Sequence, residues 1–479
     1  MSLYSQLADQ LQQQITSGLW QPGERIPSIR QSCKTHGLSP MTVLQAYQLL
    51  ESRGLILARP QSGYYVKAAP SRPAASLPQQ AHYSGSVDIN DLVFEVLQAS
   101  KSRELVPLGM AVADPTLFPH PQLGRALASS MRRLDPFSTV ADLPPGNEAL
   151  RRALAQRYAG EGLAVDPQQI IITTGAMEAL SLSLQVLTEP GDWVVVESPT
   201  FYGALQAIER LKLNAVEIPV IPGVGIDLAL LEEALAQRPI KACWLMGNVQ
   251  HPLGHTMPDD HKQALMALLN RRGVALVEDD VYAEVYFGRE RPRPIKYWDT
   301  SGDSLLCSSF SKCLAPGFRV GWVVAGRHAE RVQRLQLMST LSTNVPSQLA
   351  LAEMLRQGGV DAHFRRLRHT LAQRQQQMRA ALLRLLPGEV SISSPDGGYF
   401  LWLEFDPRLD SRALHAQALA SGFSLAPGAL FSSKGLHNHC LRLNSSHPWS
   451  EQLEAALTRL AELIHQQLDS APAKDQKAP

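Results

Sequence analysis

The sequence predicts an α/β protein in which a small N-terminal helical module precedes a large domain with a mainly parallel sheet. In the middle of the chain, runs that are apolar throughout alternate with helical stretches, which indicates a sheet covered on both faces. The first 68 residues instead show amphipathic helical patterns followed by two short β-type runs. At 479 residues the chain is also too long for one compact core.

The first module is predicted to hold three helices and a hairpin. A four-residue apolar spacing predicts the first helix, at Leu3, Leu7, Leu11 and Ile15. A second short helix is predicted over residues 28–36, and Ser39 can cap a third. Apolar and aromatic runs at 55–58 and 64–66 predict the hairpin. This order is typical of a winged helix-turn-helix, although a small helical docking domain would show the same pattern.

The module resembles the GntR-type winged helix. The resemblance rests on the segments PGERIPSIR, LSPMTV and GYYV, which begin at residues 22, 38 and 63. It implies that the start of the third helix meets DNA, and the residues it assigns to phosphates, base edges and the wing are Ser28, Arg30, Ser39, Thr42, Gln45 and Gly63. Pro40 stands where the family usually carries an arginine, and proline suits the start of a helix.

Composition divides the rest of the chain. Between residues 69 and 87, Ala, Pro, Ser and Gln dominate, which predicts a flexible linker. Apolar periodicity returns at Asp88, so the large domain is predicted over residues 88–467. Small polar residues then predict a disordered tail over residues 468–479.

Charge and cysteine content narrow the class of protein. Lys and Arg number 45 against 44 Asp and Glu, so the net charge of +1 provides no general attraction for nucleic acid. Five scattered cysteines without a C-x-x-C pair argue against a disulfide framework, and no metal site is predicted. The N-terminus lacks a signal-peptide pattern and no apolar window is long enough to cross a membrane, so we expect a soluble, cytoplasmic protein.

Seven apolar runs predict the strands of the large domain. They are residues 170–172, 193–196, 216–218, 242–246, 274–277, 305–307 and 320–324. Helical stretches separate most of them, for example at residues 228–236 and 260–270. Because sites in such sheets lie at the carboxyl ends of the strands, candidate residues are expected there.

The run Ser308-Ser309-Phe310-Ser311-Lys312 is the strongest candidate for chemistry. A lysine just after an apolar strand, among small residues and with Arg319 seven positions later, fits a covalently held pyridoxal phosphate. The lysine would supply the imine nitrogen, and the serine and arginine would supply donors for the phosphate.

Further candidates follow other strands. The helix start at Ala176 and Met177 offers N–H groups suited to a phosphate, although a glycine after a strand is more often a tight turn. Asp279 can hydrogen-bond a pyridinium nitrogen or simply end its strand, and its acidic neighbours allow the assignment to shift by one residue. Tyr282 can reach the phenolic oxygen of the cofactor.

Two more residues have both a functional and an ordinary interpretation. Phe201 lies in a loop after a strand, where it can stack on the cofactor ring or belong to the core. Arg442 lies in an otherwise apolar strand, where an arginine needs an anion. That anion is either a substrate carboxylate or a structural Asp or Glu.

Taken together, these residues resemble the aspartate-aminotransferase superfamily, fold type I of the pyridoxal-phosphate enzymes, over residues 89–465. The resemblance implies a mainly parallel central sheet and a smaller α+β subdomain. It implies Lys312 as the Schiff-base lysine. The other roles that it implies are Asp279 at the pyridine nitrogen, Tyr282 at the phenolic oxygen, Ser309, Arg319, Ala176 and Met177 at the phosphate, Phe201 on the ring face, and Arg442 at an α-carboxylate.

Two positions depart from that family. Its N-P-x-G motif carries an asparagine at the phenolic oxygen, whereas this chain has His251 before Pro252. His251 can donate the same bond but ordinarily titrates near neutrality, so we expect pH dependence there, with Asn248 as the alternative donor. Ala141 stands where members often carry a tyrosine that reaches the partner subunit. Both changes favour a sensor over an efficient catalyst.

A winged helix tethered to an aminotransferase-like domain resembles the MocR subfamily of GntR-type transcriptional regulators. This implies a head-to-tail, domain-swapped homodimer that binds double-stranded operator DNA and carries pyridoxal 5'-phosphate. We predict a regulator that senses the cofactor, an amino compound, or both, through aldimine chemistry at Lys312. The alternatives are a working aminotransferase in which Lys312 also moves a proton, with the DNA-binding domain secondary, and a sensor of the cofactor alone.

Overall fold

The computed structural model describes residues 3–16, 20, 23–53, 55–59, 62–67, 80–85, 87–99, 101–102 and 104–470. The chain forms two compact units, Met1–Pro73 and Ala74–Pro479. Most of the predicted linker, residues 69–79, and the end of the predicted tail, residues 471–479, lie outside the described residues. Within the described ranges, every helix is too short or too polar to cross a membrane.

The first unit has the predicted helices and hairpin. Its elements are α1 (Leu3–Thr16), α2 (Ile29–His36), α3 (Pro40–Ser52), β1 (Ile56–Arg59) and β2 (Gly63–Val66). Ser28 and Ser39 cap α2 and α3, and Gly37 ends α2 in the left-handed conformation at φ 65°. Pro40 lies in the first turn of α3, where its missing N–H costs nothing. The apolar helix faces and the hairpin share one core.

Strands and helices alternate through most of the second unit. In chain order its elements are β3 (His82–Ser84), α4 (Asn90–Ala99), α5 (His120–Arg132), α6 (Ser138–Ala141), α7 (Glu148–Gly160), β4 (Ile170–Thr173), α8 (Ala176–Leu187), β5 (Trp193–Ser198), α9 (Tyr202–Arg210), β6 (Asn214–Ile221), β7 (Gly225–Ile226), α10 (Leu228–Gln237), β8 (Ile240–Leu245), α11 (Asp259–Arg272), β9 (Ala275–Asp279), β10 (Ser304–Ser309), β11 (Gly321–Val324) and α12 (Ala329–Ser339). The remainder are α13 (Val345–Gln357), α14 (Val360–Leu385), β12 (Ser391–Ile392), β13 (Phe400–Glu404), α15 (Ser411–Ala420), β14 (Ala426–Pro427), β15 (Cys440–Asn444) and α16 (Glu451–Ser470).

The large sheet has the order β3-β6-β5-β8-β9-β10-β11-β4, with β7 paired to β6. Strands β6, β5, β8, β9 and β10 run parallel to one another, and antiparallel strands flank them. A separate antiparallel sheet, β12-β13-β15-β14, belongs to the smaller C-terminal part. The predicted α/β class with a mainly parallel sheet and a smaller α+β subdomain is confirmed.

Two predicted boundaries were wrong where the structure describes the residues. β3 falls in the predicted linker, but it pairs with β6, and Ser84 Oγ lies 2.7 Å from Ser433 Oγ. The sheet edge offers this short polar strand a row of backbone partners that composition does not reveal. Similarly, α16 continues to Ser470, beyond the predicted start of the tail, because Leu468 still packs against the core of the C-terminal part.

Candidate functional site

Three strand ends meet at one edge of the large sheet. In the registers of β10, β11 and β4, Ser309 pairs with Gly321, which pairs with Thr173. Asp279 pairs with Cys307, two residues before the end of β10. The residues that follow these ends are therefore neighbours in space, although 106 positions separate Thr173 from Asp279 and 30 separate Asp279 from Ser309.

The start of α8 forms a cradle with Arg319. Gly175 precedes α8 at φ +123° and provides no side-chain cap, so the first N–H groups of the helix have no partner from that residue. A Cβ atom on Gly175 would lie 2.6 Å from the Arg319 guanidinium, so only glycine leaves the approach open. Among the described residues, that guanidinium has no hydrogen-bond or ion-pair partner. A helix start and an unpaired guanidinium together suit an anion.

Two serines line the same corner. Ser309 is buried, and its Oγ accepts a hydrogen bond from the backbone N–H of Ser311 at 3.3 Å. Ser311 Oγ is itself buried without a hydrogen-bond partner in the described part of the chain. Ser311 was not among the site residues predicted from sequence, although its position directly before Lys312 could have indicated it.

The side chain of Lys312 lies among these strand ends. Its Nζ donates to the carbonyl oxygen of Ala111 at 2.9 Å and lies 5.5 Å from the ring centroid of Tyr282. Burial lowers the pKa of Lys312 to about 8. The positive charges of Arg442 and Arg319 also lower this pKa, whereas the negative charge of Asp279 raises it. An appreciable share of the amine is therefore neutral near physiological pH, as a nucleophile requires.

Asp279 lies at the end of β9 and is fully enclosed. Its Oδ1 has no hydrogen-bond partner among the described residues. Burial raises the pKa of this carboxyl group from 3.8 to about 7. A cationic N–H donor brought next to Oδ1 would satisfy the orphaned oxygen and favour the carboxylate, which is what a pyridinium nitrogen provides.

This pKa leads to a prediction for the cofactor-free protein. Because the folded-state pKa is raised, the folded state binds more protons than the unfolded state between about pH 4 and 7, and it loses stability as pH rises through that window. Asp279→Asn removes this penalty. We expect the variant to gain stability relative to the parent from pH 4.5 to pH 8, by on the order of 3 kcal/mol, in urea unfolding.

The exposed Asp469→Asn is the matched control for the loss of one carboxyl group. A constant difference for Asp279→Asn across this range would contradict the prediction.

Aromatic rings connect the remaining predicted residues. The ring centroid of Phe201 lies 5.4 Å from that of His251, and His251 lies nearly parallel to Tyr282 at 6.0 Å and 16°. Tyr399, which sequence reasoning missed, lies 5.8 Å from Tyr282, and its hydroxyl donates to the Ala111 carbonyl at 3.3 Å. No local motif marks Tyr399, since it reaches the site from the turn before β13.

His251 is a neutral hydrogen-bond acceptor. Its buried Nε2 lies 3.1 Å from Nη1 of Arg442, which can only donate. Burial and the charges of Arg442 and Lys312 hold the pKa of His251 well below its usual range. The expectation that this residue titrates near neutrality was therefore wrong. With Nε2 accepting, the proton lies on Nδ1, which is buried without a partner among the described residues.

Asn248 is engaged elsewhere. Its Nδ2 donates to Asp280 at 2.8 Å, and its Oδ1 accepts from Lys262 Nζ at 2.7 Å. Asn248 Nδ2 also makes a longer contact of 3.5 Å with the carbonyl oxygen of Pro292. These contacts contradict the prediction of Asn248 as the alternative donor.

Arg442 is a buried cation without a carboxylate. It lies on β15, donates to the Gly109 carbonyl and to His251, and leaves its Nε without a partner in the described part of the chain. Its guanidinium carbon lies 4.4 Å from the ring centroid of Phe400 and 5.8 Å from that of Phe431. Of the two interpretations from sequence, the structural Asp or Glu has no counterpart among the described residues.

The first unit carries the predicted DNA-facing residues on α2, α3 and the hairpin. Arg30 and Gln45 are exposed, and Gly63 begins β2 at φ +105° beside the Arg25 guanidinium. Ser28 Oγ accepts from the N–H of Gln31, so its hydroxyl caps α2. Ser39 and Thr42 bind one another through their hydroxyls at 2.8 Å.

Comparison with known proteins identifies the relatives of both units. Residues 113–460 match the family model for aminotransferase class I and II, and residues 3–66 match that for bacterial regulatory proteins of the gntR family. The uncharacterised HTH-type transcriptional regulator YdcR of Escherichia coli is 52% identical over 472 residues, covering 98% of this chain and 100% of that protein.

Two solved structures resemble the second unit. The multiple substrate aminotransferase of Thermococcus profundus superposes with a TM-score of 0.73 at 28% identity, covering 79% of this chain and 95% of that one. LysN, the alpha-aminoadipate aminotransferase of Thermus thermophilus, was solved with N-(5'-phosphopyridoxyl)-L-leucine. It gives a TM-score of 0.71 at 28% identity, with the same coverage of 79% and 95%.

Proposed function

We propose a function for this chain from one premise: it belongs to the class I and II aminotransferase family, and its first unit to the bacterial GntR regulatory family, joined in the MocR-type order. The chain is a transcriptional regulator with an aminotransferase-like domain that takes pyridoxal phosphate. We propose that an amino compound with a carboxylate binds beside Lys312 and thereby changes the affinity of the protein for operator DNA.

The orphaned polar atoms of the site fit the cofactor. When bound, pyridoxal phosphate supplies an aldehyde that condenses with an amine and a ring that accepts electrons. We propose that Lys312 holds it covalently, as an aldimine. The other residues that we propose to hold it are Asp279 at the ring nitrogen, Tyr282 and His251 at the phenolic oxygen, Phe201 at the ring face, and Ser309, Arg319 and the N–H groups of Ala176 and Met177 at the phosphate.

The observation that carries the proposal is the Arg442 guanidinium, which is buried without a carboxylate partner among the described residues and whose Nε has no hydrogen-bond partner there. A buried cation is costly unless an anion compensates it, and among the described residues no carboxylate does so. Phe400 and Phe431 exclude water around it, which strengthens any charge-assisted hydrogen bond made there. His251 lies against both Arg442 and Tyr282, so a carboxylate on Arg442 would be close to the amine of Lys312.

The experiment records the absorbance of the cofactor imine and the affinity for operator DNA while single amino acids are added to the full-length protein. Operator fragments come from selection of random duplexes with the purified protein. A spectral change that accompanies a change in DNA affinity, without formation of an oxo acid, supports the regulator. If the affinity for DNA stays constant on addition of every amino acid that changes the absorbance, the amino-compound sensor is ruled out.

A second candidate function, an active aminotransferase, has one observation in its favour. Lys312 and Asp279 both have pKa values near neutrality in the cofactor-free site, so a base and an electron-sink partner are present together. Stoichiometric and then catalytic production of oxo acid from the same additions would support this function.

We also propose that the chain is a head-to-tail homodimer. Two large apolar side chains at the short helix α6 are exposed in the single chain, Phe137 just before the helix by 77% and Val140 within it by 68%. Such neighbouring apolar side chains favour burial against a second copy. Light scattering should give about twice the 52.6 kDa chain mass, and a monomer at micromolar concentration would exclude the arrangement.

Arg30→Ala tests the DNA-binding surface. Arg30 is exposed in the first turn of α2, so we expect it to contact a DNA phosphate. Removing one phosphate contact should weaken binding to all sequences alike and reduce the slope of log affinity against log salt by about 1. The exposed Arg412→Ala in the second unit is the control. Parental affinity and slope in Arg30→Ala would contradict the assignment.

A further inference from the structure

The outward face of α3 carries three side chains in one row. Met41, Gln45 and Gln48 are all exposed and follow a spacing of four and then three residues, which places them on one side of the helix. The opposite side packs into the core of the first unit through Val43, Ala46, Tyr47 and Leu50. The side chain of Met41 is 64% exposed although it is apolar.

The polar side chains at the start of α3 are committed to the helix. Ser39 Oγ accepts from the backbone N–H of Thr42 at 3.2 Å and shares a hydrogen bond with the Thr42 hydroxyl at 2.8 Å. This pair caps the helix, and breaking it would expose unsatisfied N–H groups. Besides Pro40, whose ring starts the helix, Met41 and Gln45 are the exposed side chains in the first two turns, and both are available to a ligand.

The surroundings of this row suit DNA. Exposed Arg30 and Lys34 lie on α2, and neither α2 nor the first three turns of α3 contain an acidic residue. Glu51, in the last turn of α3, accepts a hydrogen bond from the backbone of Ala58 in the hairpin. The row thus presents one apolar side chain and two amides, which suit the edges of base pairs. The basic residues of α2 suit the phosphates on either side.

We propose that Met41 is a base-reading residue that packs against the C5-methyl group of a thymine in the major groove of the operator, next to an adenine read by Gln45. This rests on the proposed DNA-binding function. A thioether side chain makes no hydrogen bonds of the kind that read guanine, but it is flexible and polarizable and suits a methyl group. Thymine carries the one apolar group that the four bases present in that groove, and glutamine pairs with adenine through two hydrogen bonds.

The test uses the full-length protein and operator duplexes obtained by selection from a random library. Each thymine is replaced in turn by deoxyuridine, which removes only the methyl group. At one position in each half-site we expect the affinity to fall about fourfold, the equivalent of one buried methyl group. Met41→Ala should lose a similar factor on the thymine duplex and become insensitive to uracil at that position.

Two further variants complete the design. Met41→Leu keeps an apolar tip and should keep the response to uracil. Met131→Ala, which removes an exposed methionine from α5 in the second unit, should behave as the parent. Circular dichroism checks that each variant is folded.

Tight, salt-dependent binding with the same affinity for every uracil-substituted duplex would overturn the role of Met41 and leave the DNA-binding function standing. A response to uracil that persists unchanged in Met41→Ala would overturn it as well. If selection enriches no sequence and binding shows no salt dependence, both the proposed function and this inference fail.

Discussion

Lys312→Ala is expected to abolish the covalent attachment of the cofactor and, with it, the response of DNA binding to amino compounds. Its amine, which we propose as the nucleophile, lies 5.5 Å from the ring centroid of Tyr282, and alanine removes that amine altogether. The absorbance of the imine should disappear, and effector-dependent changes in operator affinity should be lost completely. Basal operator affinity should stay within about threefold of the parent, since Lys312 belongs to the second unit.

The matched control is Lys241→Ala, an exposed lysine on β8. It should leave the imine spectrum and the response intact. An undiminished response of DNA binding to amino acids in Lys312→Ala would show that sensing does not depend on this lysine. Disappearance of basal DNA binding in that variant would instead point to a general structural defect, which thermal unfolding would reveal.

Arg442→Met is expected to separate binding from stability. Methionine fills a similar volume between Phe400 and Phe431 without a charge. Loss of the charge-assisted grip on a carboxylate should cost about 2–4 kcal/mol, or about 30- to 1000-fold in affinity for the amino acid that gives the largest spectral change. In the free protein, removal of a buried charge that has no carboxylate is offset by the loss of its hydrogen bonds to His251 and Gly109, so we expect stability to change by no more than about 1 kcal/mol.

Isothermal titration and thermal unfolding measure the two effects. Arg412→Met, at an exposed position on α15, is the control for the change of residue type. Strong destabilisation of Arg442→Met together with unchanged affinity would assign Arg442 a structural role and remove the observation on which the sensor proposal depends.

His251 and Asn248 differ from their predictions because local sequence patterns do not determine the protonation or the hydrogen-bond partners of a buried side chain. His251 was recognised from its place in the motif, but its protonation depends on Arg442 and Lys312, which follow it by 191 and 61 positions. Asn248 has the right chemistry and lies three residues from His251, yet Lys262 and Asp280 occupy its amide. Neither fact has a signature in the neighbouring residues.

Local patterns in the chain were sufficient to predict the two-part organisation, seven of the nine strands that the structure describes in the large sheet, and the candidate residues at their ends. They were sufficient because an apolar run, a cap or a lysine after a strand has a physical meaning that changes little with context. Which of these groups lack partners emerged only from the folded arrangement. Arg442 has no carboxylate among the described residues, Asp279 has an orphaned oxygen there, and Ser39 and Thr42 satisfy each other. Burial and pairing depend on residues distant in the chain, so the fold reveals the unpaired groups that a ligand can satisfy.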